Sequence, residues 1–158
     1  MRTKVAILGA RGIGQVHARL FQKSGADVCA ILGSTMQSAQ QVATLLHQSL
    51  GLSPKPFDSL ETLIEKTQPN ALSICTPAGC HFKQILTAFD RGLPVFCEKP
   101  MFWEKKITQE ILESQINLLS KHPDRCLFLN TSNAYFMENV IQKTGRPSTI
   151  KSFSFKFH

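Results

Sequence analysis

Lys4-Val5-Ala6-Ile7-Leu8, followed by Gly9-Ala10-Arg11-Gly12-Ile13-Gly14 and then Gln15-Val16-His17, is the stretch that decides the fold of this chain. An apolar run of strand length feeds a glycine-rich turn. Beyond the turn, apolar residues at Ile13, Val16, Leu20 and Phe21 recur at helical spacing. Strand, glycine turn and helix in that order are what a dinucleotide phosphate site requires. Small residues let the backbone approach a pyrophosphate, and the helix N-terminus offers it free N–H groups and a positive dipole end. Gly9 and Gly14 fill the first and third glycine positions, and Gly12 and Ile13 complete the turn. Arg11 occupies the middle position, where the backbone comes closest to phosphate. It either blocks the ligand or swings out to pair with a phosphate as a bidentate donor. The plainer reading is a strand–helix turn whose glycines serve packing alone.

The chain has 158 residues, enough for one domain with a core. A hydrophobic fraction of 42% with 18% charged residues excludes a disordered chain. The net charge is +7, yet lysines and arginines are scattered, and the densest clusters are pairs such as Lys105-Lys106. No basic stripe is interleaved with aromatics, so a nucleic acid partner is not expected; the basic surface favours anionic ligands weakly and over long range. No apolar run reaches membrane-spanning length, and Met1-Arg2-Thr3-Lys4 leads into a strand without a signal-peptide pattern. The expected compartment is the cytoplasm. Five cysteines, an odd number without C-x-x-C spacing, point to reduced thiols and to no metal site.

Strand and helix candidates alternate along the chain. Strands are expected at Val5–Leu8, Val28–Leu32, Ala71–Cys75, Val95–Cys97 and Leu127–Leu129. Helices are expected from Ile13 to Ser24, from Ser38 to Leu50, after Asp58, after Pro77, over 107–121, and from Tyr135 to Lys143. Leu52-Ser53-Pro54-Lys55-Pro56 reads as a loop. Asp58 is the expected cap of the short helix behind it, with Glu61 completing a capping box. Leu112, Ile116 and Leu119 are expected to face inward from the helix at 107–121. The β-α-β-α order predicts a doubly wound parallel sheet of the Rossmann type, an α/β fold, over residues 1–147. Residues 148–158 differ. Phe153, Phe155 and Phe157 alternate with polar residues, which marks a half-buried strand of an antiparallel sheet. This strand would begin a second, otherwise absent domain, or pair with another copy of the chain.

Three further motifs accompany the turn: Ile74-Cys75-Thr76-Pro77 with His81, Phe96-Cys97-Glu98-Lys99-Pro100, and the Asn130 region with Gly145. With the glycine turn and His17, they resemble the glucose-fructose oxidoreductase / inositol dehydrogenase / MocA family. The resemblance runs from Lys4 to about Phe157, and Glu-Lys-Pro at the end of a short strand is its most specific element. It implies a two-domain NAD(P)-dependent oxidoreductase acting on sugars, polyols and related hydroxy compounds, of which this chain carries the cofactor-binding half. It further implies that Lys99 is the catalytic residue, its ammonium near the nicotinamide and a substrate hydroxyl. Glu98 would orient that lysine, the Lys99–Pro100 bond would be cis, and Thr76, Pro77 and His81 would belong to the cofactor-binding set.

His17 and His81 also have plain readings, as a packing residue beside Val16 and as a surface residue in the first turn of a helix. Trp103 reads as a packing anchor. At the end of the second strand, Gly33-Ser34-Thr35 stands where an NAD-specific fold carries Asp or Glu. Small residues and hydroxyls can receive a 2′-phosphate, so the sequence favours NADP over NAD. In the family the acid–base histidine lies in the second domain, and Lys99 alone is catalytically incomplete. The alternative reading is a non-catalytic dinucleotide-binding module that forms a homo-oligomer through the strand Phe153–Phe157.

Overall fold

The computed structural model describes residues 2–131 and Gln142. In chain order its elements are β1 (Lys4–Leu8), α1 (Ile13–Lys23), β2 (Asp27–Leu32), α2 (Met36–Leu50), β3 (Lys55–Phe57), α3 (Leu60–Thr67), β4 (Ala71–Ile74), α4 (Ala78–Asp90), β5 (Val95–Glu98), α5 (Gln109–Ser120) and β6 (Leu127–Asn130). The six strands form one sheet in the order β3-β2-β1-β4-β5-β6. All five pairings are parallel. This is the doubly wound α/β fold expected from the alternation of elements. The strand order reverses between β1 and β4, and there the loops following the two strands part to leave a crevice.

The period of two along β1 assigns its side chains to two cores. Ala6 and Leu8 join Leu32, Leu63, Leu72, Ile74, Ile85 and Phe89 on the side covered by α3 and α4. Ile7 joins Ala18, Val28, Ile31, Val42 and Leu46 on the side covered by α1 and α2. Such near-continuous apolar strands are what burial of both sheet faces demands.

Several expectations are corrected. Lys55-Pro56-Phe57 is a strand, with Ile31 opposite Pro56 and Leu32 opposite Phe57. A proline is tolerated there because β3 is an edge strand, and its missing N–H faces outward. Ser59, not Asp58, caps α3: its hydroxyl accepts from the Thr62 N–H and donates to the Glu61 carboxylate. The reciprocal capping box lies instead at Thr35 and Ser38, at the start of α2. In α1 the residues against the sheet are Gly14, His17 and Ala18, while Ile13, Val16 and Leu20 are exposed. The helix approaches the sheet so closely at Gly14 that a Cβ there would lie 2.4 Å from the Gly9 carbonyl oxygen. That contact fixes the rotation of the helix. Leu112 and Ile116 of α5 are exposed, Leu119 alone of the expected three packs on the core, and Trp103 is exposed. The helix expected at Tyr135–Lys143, Gly145 and the strand Phe153–Phe157 lie outside the described residues.

Candidate functional site

A cleft of about 700 Å³ opens at the carboxyl ends of β1, β2 and β4. Gly9, Ala10 and Arg11 form its floor at the turn. Gly33, Ser34 and Ser38 form one wall, and Thr76, Pro77, Cys80 and Gln84 the other. Two helix N-termini flank these loops, α1 behind Gly12 and α4 behind Pro77. Neither is capped by a side chain; Gly14, Gln15 and Cys80 bond back to the carbonyls of Arg11, Gly12 and Pro77, and the Ile13, Ala78 and Gly79 N–H groups are left for a ligand.

The glycines divide by role. A Cβ on Gly9 would lie 2.7 Å from the Thr76 nitrogen, so Gly9 lets the turn after β1 pass against the turn after β4. Gly14 does the same for the helix against the turn. Gly12 has φ +54° and open space around it, leaving the backbone approachable from outside. The residues present therefore fit a dinucleotide pyrophosphate: two uncapped helix ends, a turn shaped by glycine and an exposed guanidinium on Arg11 at its edge.

Of the residues singled out from the sequence, Gly9, Arg11, Gly33, Ser34, Thr76 and Pro77 line the cleft. Gly12, Ile13 and Gly14 form the turn and first residues of α1 beside it. Thr35 is absent from the cleft wall, because its hydroxyl accepts from the Ser38 N–H in the capping box. His81 is buried, with 2% exposure, and serves the site from beneath. Its Nε2 lies 2.6 Å from the Thr76 carbonyl and its Nδ1 2.7 Å from the Pro100 carbonyl. The ring thus ties the turn after β4 to the segment after β5. A ring with one N–H can donate to only one of these carbonyls, and the doubly protonated ring satisfies both.

Lys99 is exposed at the end of β5, and its bond to Pro100 is cis, as expected. Glu98 does not contact it through an ion pair. The Glu98 carboxylate instead accepts from His17 Nε2 at 2.9 Å and from Asn130 Nδ2 at 2.6 Å through the same oxygen, Oε1. His17 Nδ1 faces the Ser73 hydroxyl at 2.8 Å and the Cys75 thiol at 3.1 Å. Burial pushes the Cys75 thiol up to about 12, with the nearby Glu98 charge adding to the effect against a bond from Ser73. A carboxylate only accepts, so the His17 nitrogen that faces Glu98, Nε2, is the one that donates. Phe96 packs edge-on against His17 with centroids 5.1 Å apart, and Phe128 stacks on Phe96 at 5.0 Å. Glu98 is therefore held by α1 and β6, and Lys99 follows it directly in the chain.

Sequence reasoning missed the His17 network, and it missed Asp58, Cys80 and Gln84 on the cleft. The Thr76 hydroxyl donates to Gln84 Oε1 at 2.6 Å. A strand reading of Lys55–Phe57 would have set Asp58 at the carboxyl edge of the sheet, where ligands bind. All five cysteines are free, and no group of His, Cys, Asp or Glu with metal-binding geometry occurs among the described residues. No helix among them is long and apolar enough to cross a membrane.

A parallel sheet with its crevice at the β1–β4 switch point, glycine turn and uncapped helix ends defines a dinucleotide-binding domain of the Rossmann class. Residues 3–126 match the pattern of the GFO/IDH/MocA group, described as "Oxidoreductase family, NAD-binding Rossmann fold", and the chain belongs to that family. It is 29% identical over 118 residues to an inositol 2-dehydrogenase of Pseudomonas syringae pv. syringae, covering 73% of this chain and 34% of that protein. It is 31% identical over 116 residues to an inositol 2-dehydrogenase of Streptomyces avermitilis, covering 72% of this chain and 32% of that protein. Its fold matches scyllo-inositol dehydrogenase from Lactobacillus casei, solved with bound NAD(H) and scyllo-inositol, with a TM-score of 0.69 and 19% identity. That match covers 90% of this chain and 42% of the other. The chain spans about a third of the length of the curated relatives it matches.

Proposed function

We propose that this chain is the cofactor-binding half of a nicotinamide-dinucleotide-dependent oxidoreductase that moves a hydride to or from a CH–OH carbon of a cyclic polyol, sugar or similar compound. The observation that carries the reading is the placing of two uncapped helix ends and Arg11 around one cleft, with Lys99 presented at the neighbouring strand end. The inositol dehydrogenases among the relatives support the substrate class.

A bound nicotinamide dinucleotide supplies the hydride acceptor or donor. The chain's own residues do the rest of what this half contributes. The turn at Gly9–Gly14 and the start of α1 hold the pyrophosphate, and Arg11 adds a charged donor to it. Thr76 and Pro77 bound the cleft on the side toward β5. Lys99 carries an ammonium that no carboxylate among the described residues neutralises, and it holds a substrate hydroxyl and stabilises charge developing on its oxygen. Gly33-Ser34 carry no acid at the end of β2, so the choice between NAD and NADP falls to the rest of the cleft wall. In this reading residues 1–147 form the cofactor domain, and 148–158 open an antiparallel-sheet domain that brings the acid–base group. The cytoplasmic location belongs to the same proposal, supported by five unpaired thiols.

The test is an assay of the complete protein and its Lys99→Ala variant against a panel of cyclic polyols and sugars. Turnover abolished by the substitution, with cofactor affinity kept within about threefold, supports the reading. No turnover with any of them, alongside intact cofactor binding, moves the weight to a dinucleotide-binding regulatory module that dimerises through Phe153–Phe157.

A further inference from the structure

Two charged side chains line the cleft, Arg11 at the turn and Asp58 at the far end. Asp58 follows β3 directly. β3 runs parallel to β2 with Phe57 opposite Leu32, and the Gly33 N–H donates to the Phe57 carbonyl at 2.9 Å. The two strands therefore end side by side, and Asp58 stands next to Gly33 and Ser34. Because Ser59 caps α3, the Asp58 carboxylate is not consumed by the helix. Among the described residues it joins no hydrogen bond or ion pair. The end of β2 itself cannot carry an acid at Gly33, where a Cβ would lie 2.5 Å from Ser38 Oγ and 2.7 Å from the Ala39 nitrogen.

We propose that Asp58 sets the choice of cofactor, accepting hydrogen bonds from the free hydroxyls of an adenosine ribose and repelling a 2′-phosphate, so that the cleft selects NAD over NADP. The inference rests on the reading of the cleft as a dinucleotide site. Doubly wound folds that bind NAD take this acid from the end of the second strand; here the third strand supplies it across the wall. A carboxylate is acceptor-only and matches a diol, whose two hydroxyls both donate. A phosphate monoester carries about −1.5 to −2 charges near neutral pH, and like charges repel more strongly in a cleft partly closed to water than in bulk solvent. Arg11 sits at the turn, where its attraction acts on the pyrophosphate common to both cofactors. It therefore does not restore the preference for NADP. Gly33-Ser34-Thr35 carries no acid, and Asp58 supplies one on the adjoining wall.

Calorimetric titration of the chain with NAD⁺ and with NADP⁺, repeated on Asp58→Asn and Asp58→Ser, tests this. The expected result is a preference for NAD of about tenfold or more in the unsubstituted chain. Both substitutions should weaken NAD several-fold and narrow or invert the ratio, with unchanged melting temperature. A preference for NADP in the unsubstituted chain, or a ratio that neither substitution moves, overturns the role of Asp58 and leaves the dinucleotide site standing. Failure of both cofactors to bind overturns the dinucleotide reading and this inference with it.

Discussion

His17 and Glu98 meet side chain to side chain, Nε2 to Oε1 at 2.9 Å, across 81 positions of sequence. The pair joins the helix that starts at the glycine turn to the strand that ends at Lys99. Its side chains are 5% and 12% exposed, so it is a buried pair and not a surface one.

Removing His17 leaves Asn130 as the remaining donor to the Glu98 carboxylate, and removing Glu98 leaves the buried His17 Nε2 without its acceptor. His17→Ala is expected to cost about 1.5–3 kcal/mol, and Glu98→Ala a similar amount. Because both substitutions break the same contact, the double variant should cost less than their sum by more than 1 kcal/mol, well above the roughly 0–1 kcal/mol typical of a surface pair. Urea denaturation of the four proteins measures this. Additive losses would mean that each residue packs independently.

The turn glycines should separate by mechanism. Gly14→Ala places a Cβ 2.4 Å from the Gly9 carbonyl oxygen, and Gly9→Ala places one 2.7 Å from the Thr76 nitrogen. Both collide with backbone, so both should destabilise the fold by at least 2 kcal/mol, in the range of overpacked cores. Gly12→Ala meets nothing within 4 Å and bears only the strain of its positive φ, about 1 kcal/mol. Melting temperatures of the three variants should rank Gly12→Ala as the mildest by a clear margin.

The His81 ring has two backbone carbonyls to satisfy, those of Thr76 and Pro100. His81→Ala leaves both without a donor and is expected to cost about 2–4 kcal/mol. Since Thr76 lines the cleft, the same variant should weaken dinucleotide binding. A stability loss with unchanged affinity would restrict the residue to a structural role.

The thiols give a prediction in pH. Burial pushes the thiols of Cys75 and Cys97 up to about 12 and raises that of Cys29. In the unfolded chain they ionise from about pH 9 upward, whereas in the native chain they stay protonated to about pH 12. The unfolded state then binds fewer protons than the native state, and stability falls as pH rises through this window. Cys75→Ser and Cys97→Ser variants should show a shallower fall. At neutral pH a thiol reagent should modify exposed Cys80 and Cys126 first, and mass spectrometry of the labelled peptides reads the order directly.

Most of the fold was legible because its inner strands are apolar runs bounded by glycine or proline. β3 was not, since Lys55-Pro56-Phe57 has the composition of a loop, and only its edge position makes a strand of it. That single misreading also hid Asp58, which passed for a helix cap while Ser59 one residue later took that role. The turn residues at Gly9–Gly14 and the Thr76-Pro77 wall were readable because each is a short motif directly after an apolar strand. The partners of His17 lie 56 and 81 positions away, and no local pattern announces them. The inward face of α1 is not the one its apolar spacing marks, for a related reason. Hydrophobic spacing favoured Ile13, Val16 and Leu20, but the close approach at Gly14 turns His17 and Ala18 inward.

Thermal unfolding of this chain with NAD⁺, NADH, NADP⁺ and no ligand shows whether the cleft holds a dinucleotide. A ligand that binds only the native state stabilises it by about 2.7 kcal/mol at one hundred times its dissociation constant, a shift of several degrees for a domain of this size. Such a shift is expected with NAD⁺ or NADH, and a smaller one with NADP⁺. An unchanged melting temperature with every dinucleotide would mean that Arg11 closes the turn and that the cleft holds no cofactor.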